Sequence, residues 1–108
     1  MSKKPKPVRS VSAEVHYLKG PRSGALIKEE IWREDGEVVA YNLAYINQRI
    51  CRVDHGRVLG FDNRHGSHHR HFMGKTEPIA FKSYSAILKR FIRELHELWR
   101  LEDEESGG

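Results

Sequence analysis

A single apolar stripe recurs at helical spacing in this chain, and it lies at the C-terminal end. Tyr84, Ile87, Leu88, Phe91, Ile92, Leu95, Leu98 and Trp99 follow one another at intervals of three and one. That spacing lays one continuous apolar strip along a helix of about five turns. Ser83 or Ser85 supplies a side-chain oxygen to cap its start. Lys89, Arg90, Arg93, Glu94, Glu97 and Arg100 take the other side, where the two glutamates partly neutralise the arginines three or four residues away. A one-sided helix has to bury its stripe against another layer, and the segments before it read as strands.

Ala25–Arg33 and Glu37–Ile46 are rich in β-formers and are joined through Asp35-Gly36, the dipeptide most typical of a tight hairpin. In the second run Val39, Tyr41, Leu43 and Tyr45 share one face, while Val38, Ala40, Asn42, Ala44 and Ile46 share the other. Arg57–Asp62 reads as a third strand and His68–Met73 as its antiparallel partner. Gly74-Lys75-Thr76 then turns into Pro78–Phe81. The expected architecture is α+β: a small, curled antiparallel meander with the long helix on one face. The chain has 108 residues, enough for one such domain and too few for a second core. We place the domain at residues 14–101, between a basic, Pro- and Ser-containing flexible arm at 1–13 and an acidic, Gly-ending tail at 102–108.

Charge points to the class of partner. Lys3, Lys4, Lys6 and Arg9 are offset by Glu102, Asp103, Glu104 and Glu105, so the segment between them keeps the whole net charge of +4. A basic body favours polyanions, with nucleic acid first among them. No stretch approaches the roughly 20 apolar residues of a membrane span. The N-terminus lacks the apolar segment of a secretory signal. A lone cysteine, Cys51, agrees with a reducing cytoplasm. Arg49 and Arg52 beside it are able to lower its pKa, although a passive thiol is the simpler reading.

Five of the seven histidines fall within residues 55–71, and four of those stand in Gly60–His71 with Asp62, Asn63, Arg64 and Arg70. A hydrophobic core gains nothing from such a composition. On a strand, His69 and His71 point to one face and His68 and Arg70 to the other; we expect the first pair to face outward. Histidine takes and gives protons near neutral pH, so two imidazoles can act as base and acid in one turnover. RNA is a suitable substrate. A base removes the 2′-hydroxyl proton, the oxygen attacks the adjacent phosphorus, and an acid protonates the leaving 5′-oxygen. We assign proton transfer to His69 and His71, the phosphoryl oxygens to Arg70, and the orientation of one imidazole to Asp62. His68, Asn63, Arg64, Arg57 and Lys75 are candidates for RNA contact, with Lys28, Arg49, Arg52 and Lys82 also available along the phosphate backbone. Trp32, Tyr41, Tyr45 and Phe61 are available to stack on bases, although Tyr41, Tyr45 and Trp99 are most simply core residues. Such a site needs no metal and no cofactor.

Two other readings stay open. His69 and His71 have chelate spacing, and His65 with Asp62 completes a shell, so a metal-dependent nucleotidyl or phosphotransferase is one. A non-catalytic module that binds nucleic acid or a regulatory partner is the other.

Tyr41–Asn47, Arg57–Asn63 and the run Gly60-Phe61-Asp62-Asn63-Arg64-His65-Gly66-Ser67-His68-His69-Arg70-His71, followed by Glu77-Pro78 and the final helix, resemble the TumE-type toxins of bacterial type II toxin–antitoxin modules. The resemblance covers residues from about 25 to 100. It implies a small growth-slowing ribonuclease paired with an antitoxin that carries a helix-turn-helix DNA-binding domain, either as a homodimer or in a hetero-oligomer with that antitoxin. Carried onto this run, it points to Asp62, His65, His69, Arg70 and His71, with His68 in reserve.

Overall fold

The computed structural model describes residues 6–106. Six strands, β1 (Arg9–Tyr17), β2 (Leu26–Glu34), β3 (Glu37–Ile46), β4 (Arg57–Asp62), β5 (His69–Phe72) and β6 (Lys75–Pro78), form one sheet in sequential order, and helix α1 (Tyr84–Ser106) follows. Every neighbouring pair is antiparallel, so the fold is the expected α+β meander with a C-terminal helix.

The β2–β3 hairpin turns through Asp35 and Gly36, both at positive φ (49° and 82°), as a two-residue type I′ turn requires. The β5–β6 hairpin turns in the same way through Met73 and Gly74, at φ 50° and 83°. That is one residue earlier than the glycine-led turn expected at 74–76. The strand after it accordingly ends at Pro78, which has no N–H for the ladder, and does not run on to Phe81.

Helix α1 packs on β3 and β4. Its Ile87, Phe91 and Leu95 meet Tyr41, Leu43, Tyr45, Leu59 and Phe61 in the buried core. The rings of Phe61 and Phe91 meet edge to face with centroids 6.2 Å apart. Cys51 is buried in this core, and its thiol donates to the Val53 carbonyl at 3.4 Å, consistent with the passive reading. No helix among the described residues is long and apolar enough to cross a membrane.

The ends of the domain differ from the expected boundaries. Residues 1–5 of the arm lie outside the described residues, but Arg9–Ala13 belong to β1 and pair with β2. The period-two series Val11, Ala13, Val15, Tyr17 carries that strand, diluted by the polar residues between. At the other end, Glu102–Glu105 are helical. Glu102 accepts the Tyr45 hydroxyl at 3.0 Å, and Arg22 reaches Glu102 at 3.3 Å and Asp103 at 2.9 Å. These contacts offset acidic charge at the negative end of the helix dipole. Gly107 and Gly108 lie outside the described residues.

Ser83 begins the helix, its hydroxyl accepting the Ala86 N–H at 3.1 Å. Ser83→Ala is therefore expected to cost about 0.5–2 kcal/mol in urea denaturation; an unchanged midpoint would mean that water caps the helix equally well.

Candidate active site

Alternation along β4 places the site. Leu59 and Phe61 lie under α1, so Gly60 and Asp62 face away from it. Register then sets His71 opposite Gly60 and His69 opposite Asp62, on the same open face. His69, His71 and Asp62, with Lys28, Asn42, Arg57, Arg64 and Thr76, line a cavity of about 560 Å³. His69 and His71 thus open on one concavity, their ring centroids 6.4 Å apart and tilted by 52°.

Ala44 lines the cavity, and Gly60, opposite it on β4, has a specific role. A Cβ at Gly60 would lie 2.6 Å from Arg57 Cδ and 3.0 Å from the Leu43 carbonyl oxygen. Glycine there lets the Arg57 stem cross the sheet face and deliver its guanidinium to three partners. Nε and Nη2 grip the Asp54 carboxylate at 2.7 and 3.1 Å, Nη1 donates to Asp62 Oδ2 at 3.2 Å, and Nη2 lies 3.0 Å from His71 Nδ1.

Arginine only donates, so His71 Nδ1 is the acceptor and the ring proton sits on Nε2. That nitrogen is 2.8 Å from Asp62 Oδ2, although off the line of a good hydrogen bond. Thr76 Oγ1 stands 3.2 Å from Nδ1. Asp62 is buried, and its other oxygen accepts the Arg64 N–H at 3.3 Å. Asp62, Arg57 and His71 thus form one held unit. His69 is freer: it is half-buried, and its polar contact is a long one, 3.5 Å from Nε2 to Ser67 Oγ.

Other expected site residues go elsewhere. Arg70 points to the helix face, where Nε donates to Glu94 at 2.8 Å and Nη1 to Glu77 at 3.1 Å. Its guanidinium lies over the Phe72 ring, 5.1 Å from the centroid. It is not in the cleft and cannot meet a phosphate bound between His69 and His71. Lys75 lines a separate groove beside Arg70.

His68 stacks on Phe81 with centroids 3.9 Å apart, and its Nδ1 accepts the Tyr41 hydroxyl at 2.8 Å. Burial, then the neighbouring charge of His69, lowers the His68 pKa; burial, then Asp62, pushes the Tyr41 hydroxyl up to about 12. A neutral imidazole facing a protonated phenol is a structural pair. Asn63 uses its amide in place of a strand residue, accepting the Tyr41 N–H at 3.0 Å and donating to the Val39 carbonyl at 2.9 Å. His65 sits in the turn Arg64–Gly66, and its side chain lies outside the described residues. Tyr41, Tyr45 and Phe61 are buried and closed to bases, and Trp99 packs edge-on to Tyr45.

The structure also adds Asp54, His55 and Thr76 to the cleft. Asp54, His55 and Gly56 stand consecutively at φ 51°, 57° and 84°, a left-handed turn that aims the Asp54 carboxylate at Arg57. Only the Asp-His-Gly sequence ahead of a strand hints at it. Among the described residues no three His, Cys, Asp or Glu side chains are grouped as a metal shell.

Chemically, the cleft offers an accessible imidazole in His69, a second imidazole in His71 whose nitrogens rest against Arg57 and Asp62, and one arginine, Arg64, without a paired carboxylate among the described residues. A family model described as Toxin TumE matches residues 25–99, which contain the whole of this cleft. No curated protein and no solved structure matches the chain.

Proposed function

The chain belongs to the TumE toxin family, and on that premise we propose that it arrests growth by cutting RNA without a metal ion. The observation that carries this reading is the convergence of His69 and His71 on one cleft beside Arg57 and Arg64. One imidazole takes the 2′-hydroxyl proton, and the freed oxygen attacks phosphorus. As the bond from phosphorus to the 5′-oxygen breaks, the second imidazole donates a proton to that oxygen; His71 serves in this step only when protonated and turned from its contacts with Arg57 and Asp62. The products are a 2′,3′-cyclic phosphate and a 5′-hydroxyl. In the phosphorane the entering and leaving oxygens lie on opposite sides of phosphorus, so each needs its own ring, and the two rings stand 6.4 Å apart along β5. Arg64, in place of Arg70, neutralises the equatorial oxygens, while Arg57 stays on Asp54 and Asp62. Asp62 positions His71 and Arg57 without touching substrate.

The partner is an antitoxin with a helix-turn-helix DNA-binding domain, and an acidic segment of it would suit the arginines of the cleft.

The test is incubation of the purified chain with RNA in EDTA. Cleavage is expected to persist and to leave 2′,3′-cyclic ends. Intact RNA that remains bound would make the chain a binding module. Activity that EDTA abolishes, or that requires a nucleotide, would make it a metal-dependent transferase.

A further inference from the structure

The open face continues past Arg64. A second groove, of about 410 Å³, runs over β1, β2 and β3 beside Trp32. Register sets Val11, Trp32 and Ala40 in one row across the three strands. Trp32 has the same parity as Lys28, so the row shares the face that carries His69 and His71. Ala40 is small and Val11 is mostly exposed, so neither covers the indole. Of the four aromatic residues named above for stacking, Tyr41, Tyr45 and Phe61 are buried in the core; Tyr41 borders this groove but is only 1% exposed, which leaves Trp32 as the one of the four with surface to offer a base.

Arg64 lines both cavities. Its side chain is exposed and makes no ion pair among the described residues. The acid in the Trp32 groove, Glu34, is already paired with Arg9 at 3.1 Å. A strand of alternating anions and flat rings is the ligand these features fit together. An apolar peptide would bury Val11 and Trp32 but would leave the arginine at the junction without an anion.

We propose that the groove beside Trp32 is a nucleobase subsite. A base of the RNA stacks on the indole, and the phosphate between that nucleotide and the scissile position rests on Arg64. Trp32 stands three strands across and one same-face row along from His69, about 15 Å at ordinary sheet spacings. The stacked base therefore belongs one or two nucleotides from the scissile phosphate. Stacking of this kind tolerates any base, so the subsite sets affinity and register more than sequence preference. The inference rests on the ribonuclease reading above.

The test uses the full chain and a short single-stranded oligoribonucleotide with every 2′-hydroxyl methylated, which removes the nucleophile. Affinity is followed by fluorescence anisotropy. Trp32→Ala is expected to weaken binding by about tenfold or more, the range of one base–aromatic stack, and Trp32→Phe to weaken it much less. An abasic nucleotide is then moved along the oligonucleotide. At one position it is expected to cost the wild type the same factor and to cost Trp32→Ala nothing. Equal affinity of wild type and Trp32→Ala, or an abasic penalty identical in both at every position, would overturn the subsite. Cleavage of unmodified RNA by the wild type is measured in parallel. Cleavage together with equal affinities sinks the subsite alone, whereas a wild type that neither binds nor cuts RNA sinks both readings.

Discussion

His69→Ala is expected to slow RNA cleavage by about 10²–10⁴-fold, the usual contribution of a positioned acid or base. His71→Ala is expected to fall in the same range. Neither change should unfold the chain. His69 is half-open and holds only a long contact to Ser67, so its loss leaves no buried group orphaned. Loss of His71 removes one partner from Asp62 and one from Arg57, but Arg57 keeps both Asp54 oxygens and Asp62 keeps Arg57. His68→Ala is the internal control: its ring lies on Phe81 and Tyr41, away from the cleft, so it should cost stability and spare the rate per folded molecule. The readout is the initial cleavage rate beside circular dichroism of each variant. Full rates for both His69→Ala and His71→Ala would remove the imidazoles from the reaction. A loss confined to His68→Ala would move the site to the helix side.

Period-two alternation made part of this site legible in the amino-acid sequence. His69 and His71 had to share a face, and Arg70 and Phe72 had to share the other; both statements hold in β5. What alternation cannot say is which face the helix covers. That depends on Glu94, 24 residues beyond Arg70, whose carboxylate receives the Arg70 guanidinium across the layer. An arginine among histidines suggests phosphate binding only until its counter-ion is known. The helix stripe and the Asp35-Gly36 hairpin were readable because each is a local signal with one geometric solution. The Met73-Gly74 turn was not, since methionine seldom adopts positive φ. The Asp54–Gly56 turn escaped for a related reason: three successive left-handed residues are held by the contacts they make, chiefly Asp54 to Arg57, and not by a composition that marks them. Gly60 looked like one more strand residue, yet the room it leaves is what lets Arg57 reach His71.

Arg70→Ala is expected to lower folding stability by about 2–4 kcal/mol while leaving cleavage per folded molecule unchanged. The magnitude lies between an exposed ion pair, at roughly 0–1 kcal/mol, and a fully buried pair broken on one side, at roughly 3–5 kcal/mol. Arg70 and Glu94 are 20% and 19% exposed, which puts them nearer the second case. Glu94 is not orphaned by the change, because Arg90 still donates to it at 2.7 Å. Lost contact between the guanidinium and the Phe72 ring adds to the cost. The penalty should depend on pH in one direction. Burial works to raise the Glu94 pKa, and hydrogen bonds and charge from Arg70 and Arg90 overcome it, so the folded value lies below the ordinary 4.5. A lowered carboxylate contributes its stability above the unfolded value and loses it as pH falls through the folded one. The gap between wild type and Arg70→Ala should therefore be full at pH 7 and should narrow in acid below about 4.5. Urea midpoints across that range, with cleavage rates corrected for the folded fraction, measure both halves. A variant as stable as wild type that no longer cuts RNA would bring Arg70 back to the phosphate and would require β5 to present its other face to the substrate.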